Sequence, residues 1–347
     1  MKPHHQTSAV PLSSFESATW RIGQWIAFCV TLIVVAGLFV SPELTLTITW
    51  YAVVPLLPAS FLINAGMWRG ICPLASANMV PNRDRGAVLT GKWLQRASAL
   101  GLILLMVLVP LRRLLLNQDG TALAIVLLGI VVLAFGSGFV IQAKGGFCNS
   151  ICPVLPVEKL YGQSPLIGFR NPRCIPCTHC TSKGCLDIDP GLSVRNAMGA
   201  SSNANDWLKT PFGIFAAAFP GFIFGYFSVE DVPLSEALSV YGVILSYTVA
   251  SFLIIALVSI VLKVGYETIT PVSGALSIGT YYWFAAPASF EAFGLPGGII
   301  ARWVLLALIA FWFFRALSSL SNNGKPGASS GNLNEPMKAV PVKPMIH

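Results

Sequence analysis

The sequence predicts an all-α integral membrane protein with eight transmembrane helices and a small cytoplasmic loop domain between the fourth and fifth. Three observations carry that prediction. The chain of 347 residues is 54% hydrophobic and only 10% charged, outside the range of ordinary soluble domains. Its apolar residues gather in segments long enough to cross a bilayer as helices, near 22–41, 44–66, 97–116, 121–143, 210–229, 238–262, 268–290 and 295–318. Lysine and arginine divide unevenly between the two sets of connecting loops, which orients the helices.

With the N-terminus taken as inside, 19 of the 22 lysines and arginines fall on the side of the termini, and only Arg112, Arg113 and Arg302 on the other. This bias places both termini and the long loop in the cytoplasm. Arg112 and Arg113 are the local violation, and they are expected to snorkel at the outer interface. The net charge of +8 is spread over membrane-flanking loops, so it reports topology and contact with anionic lipid. No basic stripe suited to nucleic acid is present.

Residues 1–19 are polar and read as a cytoplasmic tail; the helix after them is too long for a cleavable signal. Cys29, within that first helix, reads as a small core residue. Residues 20–152 contain an internal duplication. The turn ending in Cys72-Pro73 and the turn ending in Cys152-Pro153 match at Gly66/Gly146, Ile71/Ile151, Cys72/Cys152 and Pro73/Pro153, every pair 80 residues apart. Each unit is two helices and a turn at the cytoplasmic membrane edge, where proline stops the helix just after a cysteine. The second turn carries an extra thiol, Cys148, where the first has Trp68.

Residues 153–209 form the only sizeable extramembrane segment, too rich in Gly, Pro, Ser and Asn to build a large core of its own. Within it lies Cys174-x2-Cys177-x2-Cys180-x4-Cys185. Successive x2 spacings let a short loop fold back so that three thiolates converge on one inorganic cluster, and a [4Fe-4S] cluster is the leading reading. Structural zinc more often uses two C-x2-C pairs separated by a longer finger. The spacing before Cys185 departs from the ferredoxin run, so the fourth ligand is either Cys185 or Cys152. His179 reads as a neighbour of the cluster rather than a ligand. Seven of the eight cysteines face a reducing compartment, which favours metal or redox use over disulfides. A second cluster would sit on Cys72, Cys148 and Cys152. Because seven thiols cannot fill eight positions, two clusters would need one non-cysteine ligand.

Residues 210–318 form a four-helix membrane domain without cysteine. Gly221-x3-Gly225 offers a small-residue face for close helix packing. Tyr281, Tyr282, Trp283, Trp303 and Trp312 read as interfacial belt and core, with a quinone pocket as the lesser reading. Residues 319–347, rich in Ser, Asn, Gly and Pro, are expected to be disordered. The histidines are His4, His5, His179 and His347, none placed to ligate iron within the membrane, so no haem is expected. No acid/base pair, nucleophile triad or phosphate loop is visible, and the enzyme question stays open.

The paired C-P turns, the helix pairs before them and the four-cysteine loop resemble the membrane ferredoxin-type proteins of the NapH and NosR kind, accessory to periplasmic nitrate and nitrous oxide reductases. The resemblance covers about residues 20–190. It implies a bacterial inner-membrane protein that moves electrons between the quinone pool and another redox subunit or soluble carrier. Maturation or regulatory roles also occur in that group. The reading is therefore an iron–sulfur electron-transfer subunit, with a biogenesis or redox-sensing component as the alternative. Transport is disfavoured, because ionisable residues deep in the last four helices are missing.

Overall fold

The computed structural model describes residues 14–81, 91–141, 147–168, 186–187, 190–199 and 205–323, and among these the chain is helical with no strand. All eight apolar stretches are helices. They are α1 (Ser14–Val40); α2 (Pro42–Ile48), continued through a π-turn at Thr49–Val53 into α3 (Val54–Ile71); α5 (Gly91–Leu111), closed by a π-turn at Arg112–Leu116; and α6 (Gly120–Val140). After these come α9 (Pro211–Phe227), α10 (Ala237–Leu262), α11 (Tyr266–Ala292) and α12 (Gly298–Asn323). Short helices α4 (Pro73–Met79), α7 (Leu155–Tyr161) and α8 (Pro190–Ala197) lie between them.

Six of the stretches are long and apolar enough to cross a membrane, which makes this a multi-pass membrane protein. Their outward surfaces suit lipid: Ile33, Val132, Leu253 and Phe311 are all exposed. The two that fall short are α9, with 17 residues, and α11, which is rich in serine, threonine and glycine. Both are interior helices. α9 buries residues around its whole circumference, from Phe212 to Tyr226, as a helix apolar on every face must. α11 buries Thr270, Ser273 and Ser277 completely. Thr270 and Ser277 donate back to the carbonyls of Tyr266 and Ser273 at 2.7 Å each, so their hydroxyls cost little inside the bundle. A helix shielded by its neighbours needs neither the length nor the hydropathy of one that faces lipid.

α1 is described from Ser14, within the stretch read as a polar tail, with Glu16 in its first turn where a carboxylate meets the positive end of the helix dipole. One sequence expectation is corrected. Cys29 lies on the exposed, lipid-compatible face of α1 rather than in a core, because α1 sits at the edge of the bundle.

The glycine face of α9 behaves as its spacing predicts. A Cβ at Gly221 would run into the backbone oxygen of Tyr247 and the Cβ of Ser251 on α10, and one at Gly225 would stand 3.0 Å from the Ile244 Cα. Ser251 also donates to the Ala217 carbonyl at 2.8 Å. Gly221→Val should therefore separate α9 from α10 and destabilise the protein by about 1–3 kcal/mol through overpacking. A melting curve in detergent reads that loss.

The duplicated units exchange their turn helices. α4, which follows Cys72, lies against α6 of the second unit, where Gly138 meets the Asn78 backbone. The fully buried Asn78 donates to the Ala134 carbonyl and the Ser137 hydroxyl at 2.9 Å each. α7, which follows Cys152, lies against α3 of the first unit: a Cβ on Gly162 would come within 2.8 Å of the Ala65 Cβ. Each C-P turn is thereby held by the other unit. The second half joins through α11, whose Tyr282 hydroxyl donates to the Pro55 carbonyl at 2.6 Å. Val194, Met198 and Trp207, from the segment between Cys152 and α9, are buried in the same core as the membrane helices.

Candidate functional site

Cys72 ends α3 and begins α4. Its backbone is extended (φ −55°, ψ 124°), as the residue before a proline prefers, while its N–H still donates to the Trp68 carbonyl at 2.8 Å. Pro73 then starts α4, where a missing N–H costs nothing. In the second unit Cys148 lies inside a π-turn (Phe147–Ile151), and the Cys152 N–H donates to the Phe147 carbonyl at 2.9 Å. Such wide turns re-aim side chains and recur at functional sites. The first helix of each unit backs its own turn. Gln24 on α1 donates to the Gly70 carbonyl at 3.0 Å, and a Cβ at Gly101 on α5 would stand 2.8 Å from the Ile151 carbonyl oxygen.

The two turns bring Cys72, Cys148 and Cys152 into one apolar patch with Ala75, Ala134 and Phe147. Cys148 is buried and the other two are half-buried. Cys152 also touches a second patch of Ala65, Leu155 and Leu186. Burial pushes the Cys152 thiol well up from its ordinary range, and the Glu158 carboxylate, Cys148 and Cys72 push it the same way. The thiols are thus close enough to act on one another's charge.

An arginine joins these turns. Arg69, one helical turn before Cys72 and 3% exposed, donates through Nη1 to Glu158 Oε2 at 2.8 Å and to the Cys148 carbonyl at 3.2 Å. Its Nε donates to Asp187 Oδ1 at 2.8 Å, and its Nη2 donates to Asn149 Oδ1. Arg69 and Asn149 hold the same position in the two repeats, 80 residues apart, so the pair spans the internal symmetry. A planar guanidinium can serve this many acceptors at once, and a point-charge ammonium cannot.

Asn64 supplies the second anchor. Its backbone is extended (φ −171°, ψ 115°), which breaks α3 and frees carbonyls that a helix would use. The Leu62 and Ile63 carbonyls accept instead from the N–H groups of Leu166 and Ile167 at 3.2 and 3.1 Å. The Asn64 side chain donates to the Ile167 carbonyl at 2.7 Å and accepts from the Gly66 N–H at 2.7 Å.

Of the seven cysteines expected at the site, the structure brings Cys72, Cys148 and Cys152 together. Cys174, Cys177, Cys180 and Cys185, with His179, lie outside the described residues. The flanks of that loop are described, and both dock on the last turns of α3: Leu166 and Ile167 at the Asn64 break, Asp187 on Arg69. Among the described residues no group of three His, Cys, Asp or Glu is disposed to hold a single metal ion. Thiolates bound to separate irons of a cluster stand farther apart than ligands sharing one ion, and a thiol-only set in an apolar cradle suits soft iron–sulfur rather than a hard cation. The three cysteines fit a cluster on those grounds.

Sequence reasoning missed Arg69, Glu158 and Asp187. One signal was available: Arg69 occupies the repeat position of Asn149 in a turn otherwise made of apolar and small residues. Comparisons with known protein families, with curated proteins and with solved structures find no match.

Proposed function

We propose that the chain is an iron–sulfur electron-transfer protein of the bacterial inner membrane, with eight crossings and both termini in the cytoplasm. It passes electrons between the quinone pool, or a redox partner, and a cytoplasmic-side [4Fe-4S] cluster. Cys174, Cys177 and Cys180 would hold that cluster, with Cys185 or Cys152 as fourth ligand, and Cys72, Cys148 and Cys152 would hold a second. One observation carries this reading: both flanks of the four-cysteine loop are tied to α3, and Arg69 joins the exit of that loop to both C-P turns. Cys72, Cys148 and Cys152 lie together beside those ties, and this supports assigning the four loop thiols to the same end of the bundle.

A bound cluster supplies reversible one-electron chemistry. The chain's own residues do the rest. Phe147, Ala75 and Ala134 keep water from the Cys148 side, and Arg69 fixes the spacing of the two turns through the Cys148 carbonyl and Asn149. The interior placement of α9 and α11 supports counting them as crossings although neither looks like a lipid-facing span.

Anaerobic purification with iron and sulfide counted per chain tests the proposal. About four irons indicates one cluster and about eight indicates two. A reversible EPR signal on dithionite reduction is expected, and a sample with neither iron nor signal overturns the reading.

A further inference from the structure

The end of the bundle opposite the cysteines holds a second constructed site. Arg112 and Arg113, expected to snorkel at the outer interface, lie over aromatic rings at that helix end. The Arg112 Cζ lies 4.3 Å from the Trp50 ring centre and 5.9 Å from those of Tyr51 and Tyr226. Arg113 lies 4.7 Å from the Tyr226 ring centre and pairs with Asp231 at 2.9 Å. Asp231 also accepts from the Asn117 side chain, which fixes it on Arg113.

Two π-turns build the place, one carrying Trp50 and Tyr51 and the other carrying both arginines. Arg113 is neutralised by Asp231. Among the described residues no carboxylate and no hydrogen-bond acceptor partners the Arg112 side chain, and its buried Nε is unused. One further buried group here has no partner, the Tyr226 hydroxyl, on a residue 4% exposed. The Tyr226 hydroxyl is within electrostatic reach of both arginines, Asp231 and Tyr51. One uncompensated positive charge, an unfilled guanidinium fork and a buried hydroxyl on an aromatic floor ask for an acceptor-rich anion of single charge.

We infer that Arg112 and Tyr226 bind an oxyanion, a phosphodiester of a lipid headgroup or free phosphate, at the end of the bundle opposite the cysteine turns. Rings around the guanidinium hold it by cation–π contact while leaving its N–H groups to the ligand. A phosphodiester matches the net charge of the site, and the boundary of an apolar bundle is where such headgroups lie.

The test uses the full chain, purified in a non-ionic detergent and washed free of lipid, with melting followed as phosphatidylglycerol or inorganic phosphate is titrated. A rise in melting temperature is expected, with the half-maximal concentration raised about tenfold or more in R112Q, because a hydrogen bond to a charged group is worth about 1.5–3 kcal/mol. R302Q, which alters the arginine stacked on Trp283, should respond like the unaltered protein. A response to phosphatidylglycerol alone assigns the lipid, and a response to inorganic phosphate as well assigns the free anion. Should R112Q fail to fold, Y226F supplies the comparison, with a half-maximal concentration raised severalfold. The proposal is overturned if neither probe shifts the melt, or if R112Q and Y226F respond as the unaltered protein does.

Discussion

Arg69→Met is expected to destabilise the protein by about 3–5 kcal/mol, the cost of removing one partner from a buried ion-pair group. Glu158 is 3% exposed and the Asp187 side chain 1%, so both carboxylates would lose their guanidinium in a place that water does not reach. The loss should appear as a melting point lower by roughly 10 °C. Arg69→Lys should recover only part of it. One ammonium can keep Glu158 or Asp187 but cannot reach those two together with the Cys148 carbonyl and Asn149. The cycle of Arg69→Met with Glu158→Leu separates attraction from stranded charge. If the double variant is more stable than Arg69→Met alone, most of the single-variant cost comes from the exposed-to-apolar carboxylate rather than from the lost contact. A single variant that melts with the unaltered protein would mean that Arg69 does not join the turns.

That arginine also shows where the sequence stops being legible. Helices could be read from apolar runs because a bilayer-crossing helix must be apolar along its own length, a local property. The duplication was legible too, since the glycine, cysteine and proline that shape a C-P turn recur at a fixed offset. Arg69, by contrast, takes its partners from Glu158 and Asp187, 89 and 118 residues further on. No local pattern encodes such a pairing, so Arg69 read as one more inside cation. The aromatic partners of Arg112 were hidden for the same reason, because Tyr226 lies on α9, far along the chain. α9 and α11 were recognised as apolar, but only packing reveals that they are interior. The nearness of Cys72, Cys148 and Cys152 was legible because the two C-P turns recur at one offset, and like turns of a duplicated unit fold to like places.

Serine substitutions across those cysteines should divide them into two sets. Cys177 lies in the middle of the four-cysteine loop, and Cys177→Ser is expected to remove a whole cluster, about four irons per chain. Cys72→Ser and Cys148→Ser alter the apolar patch beside Ala75 and Ala134. In a protein holding about eight irons, each should leave about four; in one holding about four, neither should change the count. Cys152 distinguishes the two assignments of the fourth ligand. It touches the Cys72 and Cys148 patch on one side and Leu186, next to Cys185, on the other. In a protein holding about four irons, Cys152→Ser should lower iron as far as Cys177→Ser does and Cys185→Ser leave the count intact if Cys152 serves the loop cluster, and the two results exchange if Cys185 does. In one holding about eight, Cys152 belongs to the second cluster and either change should remove about four irons. Iron and sulfide per chain, measured beside membrane abundance so that misfolding is scored separately, decide the matter. Full iron content in Cys177→Ser at normal abundance would remove the loop from the site altogether.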